Sequence, residues 1–260
     1  MSAVALALHQ ARYDAKRFLR DPSGLFFALA FPMVFLFVFI AVLGRNHESA
    51  TVAGRTVASA TYYLPAVLTI SLASVNFIAL AMTLTASRER GLLKRVRATP
   101  LPPAAFLAGR ILVSVVVSWL SVVLVLLVGR FTYGVAVPAS RLPGLALMLV
   151  VAAAAYCCLG FALSAAVRSS GAAAALTSLI ALPLYFMSGL FARNDVIPHG
   201  VQTVASVLPI KPLFDSLVLV FDPATSGPGV SWTRLLAVAA WGIAGLLVTL
   251  RFFRWEPAGE

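Results

Sequence analysis

Charge is what this sequence most lacks. Asp, Glu, Lys and Arg make up only 11% of its 260 residues, while 61% are hydrophobic. Globular chains carry about 25% and about 45–50%. So little charge cannot cover a water-exposed surface, so most of the chain must be surrounded by lipid. The acids are scarcest, nine against 20 Lys and Arg. None of the longest apolar runs holds an ionisable side chain, which excludes the intramembrane carboxylate that proton-coupled carriers use. Lys16, Lys94 and Lys211 are the only lysines and none follows glycine, which excludes a phosphate-binding G-x-x-x-x-G-K-[ST] loop. His9, His47 and His199 are too scattered for metal-ligand spacing. No Gly-x-Ser-x-Gly elbow or close acidic pair is present. We therefore expect no catalytic residues, no metal site and no cofactor held by this chain. Cys157 and Cys158, the only cysteines, lie side by side in an apolar run and read as small core residues.

A bilayer core about 30 Å thick needs about 20 apolar residues of helix. Six charge-free runs qualify: Leu25–Leu43, Tyr62–Ala86, Ile111–Gly129, Leu142–Val167, Ser169–Phe191 and Leu235–Leu250. With their flanking turns the expected spans are 25–43, 62–86, 105–129, 142–167, 169–191 and 233–253. The expected fold is one all-α membrane domain over residues 1–260. The net charge of +11 does not imply nucleic-acid binding, because the basic residues sit in short segments between spans and set topology. With the N-terminus inside, 13 of the 20 Lys and Arg fall on inner segments. Both termini are therefore expected in the cytoplasm.

Two segments should lie at the membrane without crossing it. Over about residues 3–20, Val4, Leu8, Ala11, Ala15 and Phe18 share one helical face, and His9, Arg12, Lys16 and Arg20 share the other. That pattern predicts an interfacial amphipathic helix in contact with membrane lipid, ended by Asp21-Pro22. The outer segment Ala192–Thr233 holds Val201–Leu208 and Leu213–Phe221, which are too short to span and are flanked by prolines. It predicts short re-entrant helices between the fifth and sixth spans.

The loop after the second span reads RERGLLKRVRATPLPP from Arg88 to Pro103. Glu89 precedes Gly91, and Leu92, Leu93 and Val96 fall at helical spacing among Lys94, Arg95 and Arg97 before the prolines stop the helix. Such a helix is either a basic anchor with no partner or a docking helix whose apolar residues enter a groove on a soluble partner. On the second span Tyr62, Thr69, Asn76 and Thr83 repeat every seven residues, near one face. That face either bonds neighbouring helices or lines a substrate path. Pro183, Phe186 and Met187 on the fifth span carry the same two readings, packing or path.

Three stretches resemble the permease subunit of type-2 ABC exporters. They are RFLRDPSGLFFALAFP; RERGLLKRVRATPLPPAAFLAGRIL; and Ser188-Gly189-Leu190-Phe191 followed by VIPHGVQTVASVLPIKPLFDSL. The run ERGLLKRVRATPLP resembles the daunorubicin-resistance-like drug-exporter branch more than the polysaccharide branch. The resemblance implies a half-transporter of a bacterial plasma membrane, paired with a second copy or a sister permease. Two separate cytoplasmic ATPase subunits, which hold the ATP and Mg, would dock on it. It implies that Arg88, Glu89, Arg90, Gly91, Leu92, Leu93, Lys94 and Arg95 form the helix that couples to the ATPase. The cargo would be a hydrophobic or amphiphilic drug, antibiotic or lipid. A lipid-linked polysaccharide exporter and a non-transporting membrane scaffold are the alternatives.

Overall fold

The computed structural model describes residues 3–42, 49–52, 55–97, 102–135, 139–167, 169–190, 198–221 and 229–252. Helix α1 (Ala3–Leu19) ends as expected at Asp21, whose Oδ1 accepts from Gly24 N at 3.1 Å. Pro22 then starts α2, a continuous helix made of Pro22–Leu25, a π-helical turn Phe26–Ala30, and Phe31–Val42. A hairpin follows, with β1 (Ser49–Val52) antiparallel to β2 (Arg55–Ala58) and Ser49 opposite Ala58. Its four-residue strands are too short to show as an alternating pattern in the sequence.

Helix α3 runs through Ser59–Ala73, a π segment Ser74–Ala79, and Leu80–Glu89. The remaining helices are α4 (Leu92–Arg97), α5 (Pro103–Tyr133), α6 (Leu142–Ala166), α7 (Ser170–Met187), α8 (His199–Val207), α9 (Ile210–Phe221) and α10 (Trp232–Phe252). Tyr62–Glu89, Ala105–Tyr133, Ala139–Ala166, Ser170–Met187 and Trp232–Phe252 are each long and apolar enough to cross a bilayer. The apolar part of α2 is shorter, Ala28–Ala41. It reaches membrane length only with the turns that begin at Pro22, at about 1.5 Å per residue. The chain is an all-α membrane protein.

Direct contacts give the helix directions. On α10, Gly242 lies against Ala155 and Gly245 against Cys158 and Leu159 of α6, so α10 and α6 run parallel. The end of α7 reaches the start of α3, where Tyr62 Oη donates to Gly189 O at 2.7 Å. Helix α7 therefore finishes at the hairpin end of the bundle and α10 starts there. The pair α8 and α9, bent by 94°, must enter and leave at that same end. It dips far enough for Tyr156 Oη, midway along α6, to donate to Pro209 O at 3.2 Å. Phe214 of α9 meets the Tyr62 ring edge-on at 5.7 Å. Two arginines from outside hold α9, Arg141 donating to Val220 O and Arg234 to Asp215 O, while Lys211 pairs with Asp215 within α9 itself. The opposite end, where α1, Arg88 and Arg110 gather, is the basic end.

Helix α1 departs in one respect from its sequence reading. It lies along α5, and a Cβ on Gly109 would stand 2.9 Å from Ala7 O. Ala11 and Asp14 are buried against the bundle, while Leu8 is half exposed. The apolar stripe is thus divided between the bundle and the exposed surface, and Asp14 reaches Arg110 across the packed face at 2.8 Å.

Candidate functional site

At the basic end, neighbouring residues of α3 grip two other helices. Arg88 is buried, and its guanidinium donates to Ser164 O at 2.9 Å and to Val167 O. These carbonyls close α6, whose last turn has no intrahelical donors for them. A cation there also complements the negative end of the helix dipole. Glu89 is exposed and accepts from Ser170 N at 3.0 Å, at the start of α7. The Ser169 side chain caps the same helix by accepting from Ala172 N at 3.1 Å. An arginine on a helix C-terminus and a glutamate on a helix N-terminus thus bind the base of α3 to α6 and α7.

Gly91 has φ +67°. This left-handed conformation, which costs glycine least, lets the chain leave α3 and start the six-residue α4. The two leucines there part company. Leu93 is 3% exposed and packs with Leu80, Leu84, Phe106, Leu107, Cys157 and Phe161, whereas Leu92 is half-buried. This corrects the expectation that Leu93 enters a partner's groove, since the bundle already fills that role. Arg90 and Lys94 are exposed. The side chains of Arg95 and Val96, and residues 98–101 of the expected proline stop, lie outside the described residues.

The six proposed path residues do not come together. Thr69 is buried, its hydroxyl donating to Pro65 O at 2.9 Å. Asn76 is fully buried, donating to Leu72 O and Ser118 Oγ, each at 2.8 Å. Cys157 Sγ approaches its Oδ1 at 3.5 Å. Thr83 is exposed, so it does not share the face of Asn76. The π segment explains the difference: its wider turn inserts about one extra residue and rotates everything after it by about 100°. On α7, Pro183 and Phe186 are exposed and Met187 half-buried, on the side away from the bundle. Asn76→Leu should lower the unfolding free energy by about 0.6–1.7 kcal/mol, the range for interhelical polar contacts in membranes, and leave transport rate unchanged. Unfolding in detergent and transport in vesicles check the two halves separately.

A cavity of about 570 Å³ opens beside α1, between α2, α3 and α5. Phe31, Val75, Ile78, Val113 and Val117 form apolar walls, and Asp14, Arg17, Asp21 and Arg110 stand at its basic end. Thr83 lines it, but Thr69 and Asn76 do not. Sequence reasoning passed over Asp14 and Arg110, whose only signal was a carboxylate on a basic helix and an arginine at the start of a span. Among the described residues, no three His, Cys, Asp or Glu side chains are grouped to hold a metal.

No curated protein matches the sequence. The family model described as ABC-2 type transporter matches residues 10–221. That stretch takes in α1 from Gln10 onward, the first five spans, the Arg88–Arg97 segment and the re-entrant pair. The chain belongs to the ABC-2 type transporter family as a membrane-embedded permease component.

Proposed function

We propose that this permease is half of an ATP-driven exporter of hydrophobic or amphiphilic compounds, of the drug-exporter kind, in a bacterial plasma membrane. The basic end faces the cytoplasm with both termini, following the distribution of Lys and Arg. A separate ATPase, which holds the ATP and Mg, docks on the segment from Arg88 to Arg97. A second permease, identical or sister, completes the transporter. One observation carries the coupling reading: Arg88 and Glu89 tie this loop to the ends of α6 and α7. A push on α4 is therefore delivered to three spans at once. Arg90 and Lys94 supply the outward charge for an acidic rim on the ATPase.

The test uses Arg90→Glu and Lys94→Glu, both at exposed positions where substitutions leave a fold nearly undisturbed. Each should weaken ATPase pull-down about tenfold, and the pair should abolish ATP hydrolysis stimulated by the permease in proteoliposomes. Wild-type pull-down and hydrolysis in the double variant would remove the docking role.

A further inference from the structure

The cavity beside α1 has walls and a mouth of different chemistry. Its walls are apolar. Four charged groups stand at the mouth, two of each sign, yet their bonding is unequal. Both carboxylate oxygens of Asp14 are engaged, Oδ1 by Arg110 at 2.8 Å and Oδ2 by Gln10 Nε2 at 3.2 Å. Asp21 is exposed and accepts from Gly24 N through Oδ1. The cations keep donors in hand. Arg17 makes one long bond, to Ser87 Oγ at 3.4 Å. Arg110 keeps a buried Nε without a hydrogen-bond partner among the described residues, and an unmade bond of that kind is costly. The mouth therefore offers spare donors on Arg17 and Arg110, while the carboxylate nearest them, Asp14, is already engaged through both oxygens.

The position favours a membrane molecule over a free ion. Helix α1 has the amphipathic pattern of a helix lying at headgroup depth, and Arg17 lies on it. Ala79 and Thr83 line the cavity and are exposed, so it opens sideways on the bundle surface, where acyl chains pass. Its volume falls within the about 300–1,000 Å³ of small-molecule sites.

We propose that this cavity binds an anionic amphiphile, with its phosphate or carboxylate head on Arg17 and Arg110 and its chain along Phe31, Ile78 and Val117. The site lies within one permease copy, separate from the docking surface for the ATPase. An occupant ties α1 to α2, α3 and α5, and so bridges the interfacial helix and the span that carries Arg88.

The experiment uses the full chain in phosphatidylcholine nanodiscs, without ATPase. The probe is hexadecyl phosphate with a photoreactive diazirine at the end of its chain. Cross-links should map to peptides around Phe31, Ile78 and Val117. Unlabelled hexadecyl phosphate should suppress them at least about tenfold, the scale of a charge-assisted contact. Hexadecyltrimethylammonium and inorganic phosphate should not. Arg17→Gln removes the head contact and Ala79→Trp fills the cavity from an exposed position; each should cut cross-linking about tenfold at wild-type thermal stability. Equal suppression by the cation would overturn the charge assignment, and equal suppression by inorganic phosphate would leave an anion site without a lipid chain. Labelling spread over all lipid-facing helices and indifferent to both substitutions would remove the site altogether. Binding is read without ATP, so Arg90→Glu should leave it unchanged, and either reading can fail alone.

Discussion

Arg88→Met should cost about 2–4 kcal/mol of stability and uncouple transport from ATP hydrolysis. That loss follows from two carbonyls, Ser164 O and Val167 O, that receive its guanidinium in a buried setting. A hydrogen bond to a charged donor contributes about 1.5–3 kcal/mol. Methionine keeps much of the apolar stem but leaves both acceptors without this donor. Arg88→Lys should recover only part of the loss, because an ammonium is a point charge and lacks the fork that spans two carbonyls. Unfolding in detergent gives the stability, and ATP hydrolysis with and without transport substrate gives the coupling. If Arg88→Met unfolds and couples like the wild type, the contact is incidental. Glu89→Gln provides the comparison: it keeps an acceptor for Ser170 N but loses the charge at the start of α7. It should reduce substrate-stimulated hydrolysis and leave ATPase binding intact.

The large features of this fold are legible in the sequence because lipid imposes them on local composition. The six apolar runs, the break at Asp21-Pro22 and the bend beside Pro209 and Pro212 are visible as runs and prolines, and the structure places helices and breaks there. The details of the site depend on distant partners. Arg88 meets carbonyls 76 and 79 positions away, and nothing local to RERG specifies them. The adjacent leucines of α4 are equivalent as a pattern, and only the hydrophobic cluster above them selects Leu93 as the buried one. The regular spacing of Thr69, Asn76 and Thr83 misled because Asn76 sits inside the π segment, which shifts the helical phase before Thr83. That segment lies against Gly160, where a Cβ would come within 2.9 Å of Asn76 O and 3.1 Å of Phe77 O. A close approach between helices was needed to fix the phase of α3. The cavity is the extreme case, since four separate segments build it.

Gly245→Leu should prevent the bundle from assembling, with a loss of about 3 kcal/mol or more, the upper end for overpacking. On α10, Gly242, Gly245 and Thr249 fall on one face and are all buried. A Cβ on Gly242 would stand 2.8 Å from Ala155 Cα, and one on Gly245 would stand 2.9 Å from Cys158 C and Leu159 N. These are backbone atoms, so no rotamer change relieves the clash, and α10 would have to move off α6. In lipid there is little hydrophobic drive to hold separated helices together; close packing of small residues has to do it. Thr249 adds a hydroxyl bonded to Gly245 O at 2.7 Å and near Cys158 O at 3.4 Å, a contact that the displaced helix would lose. Glycines in open positions are the control: a Cβ added at Gly171 would meet nothing within 4 Å, so Gly171→Ala should be neutral or slightly stabilising. Gel filtration in mild detergent should show aggregate for Gly245→Leu, a lowered yield for Gly245→Ala and a wild-type peak for Gly171→Ala. A monodisperse, thermally unchanged Gly245→Leu protein would mean that α10 is held by its other contacts and that its approach to α6 is not required.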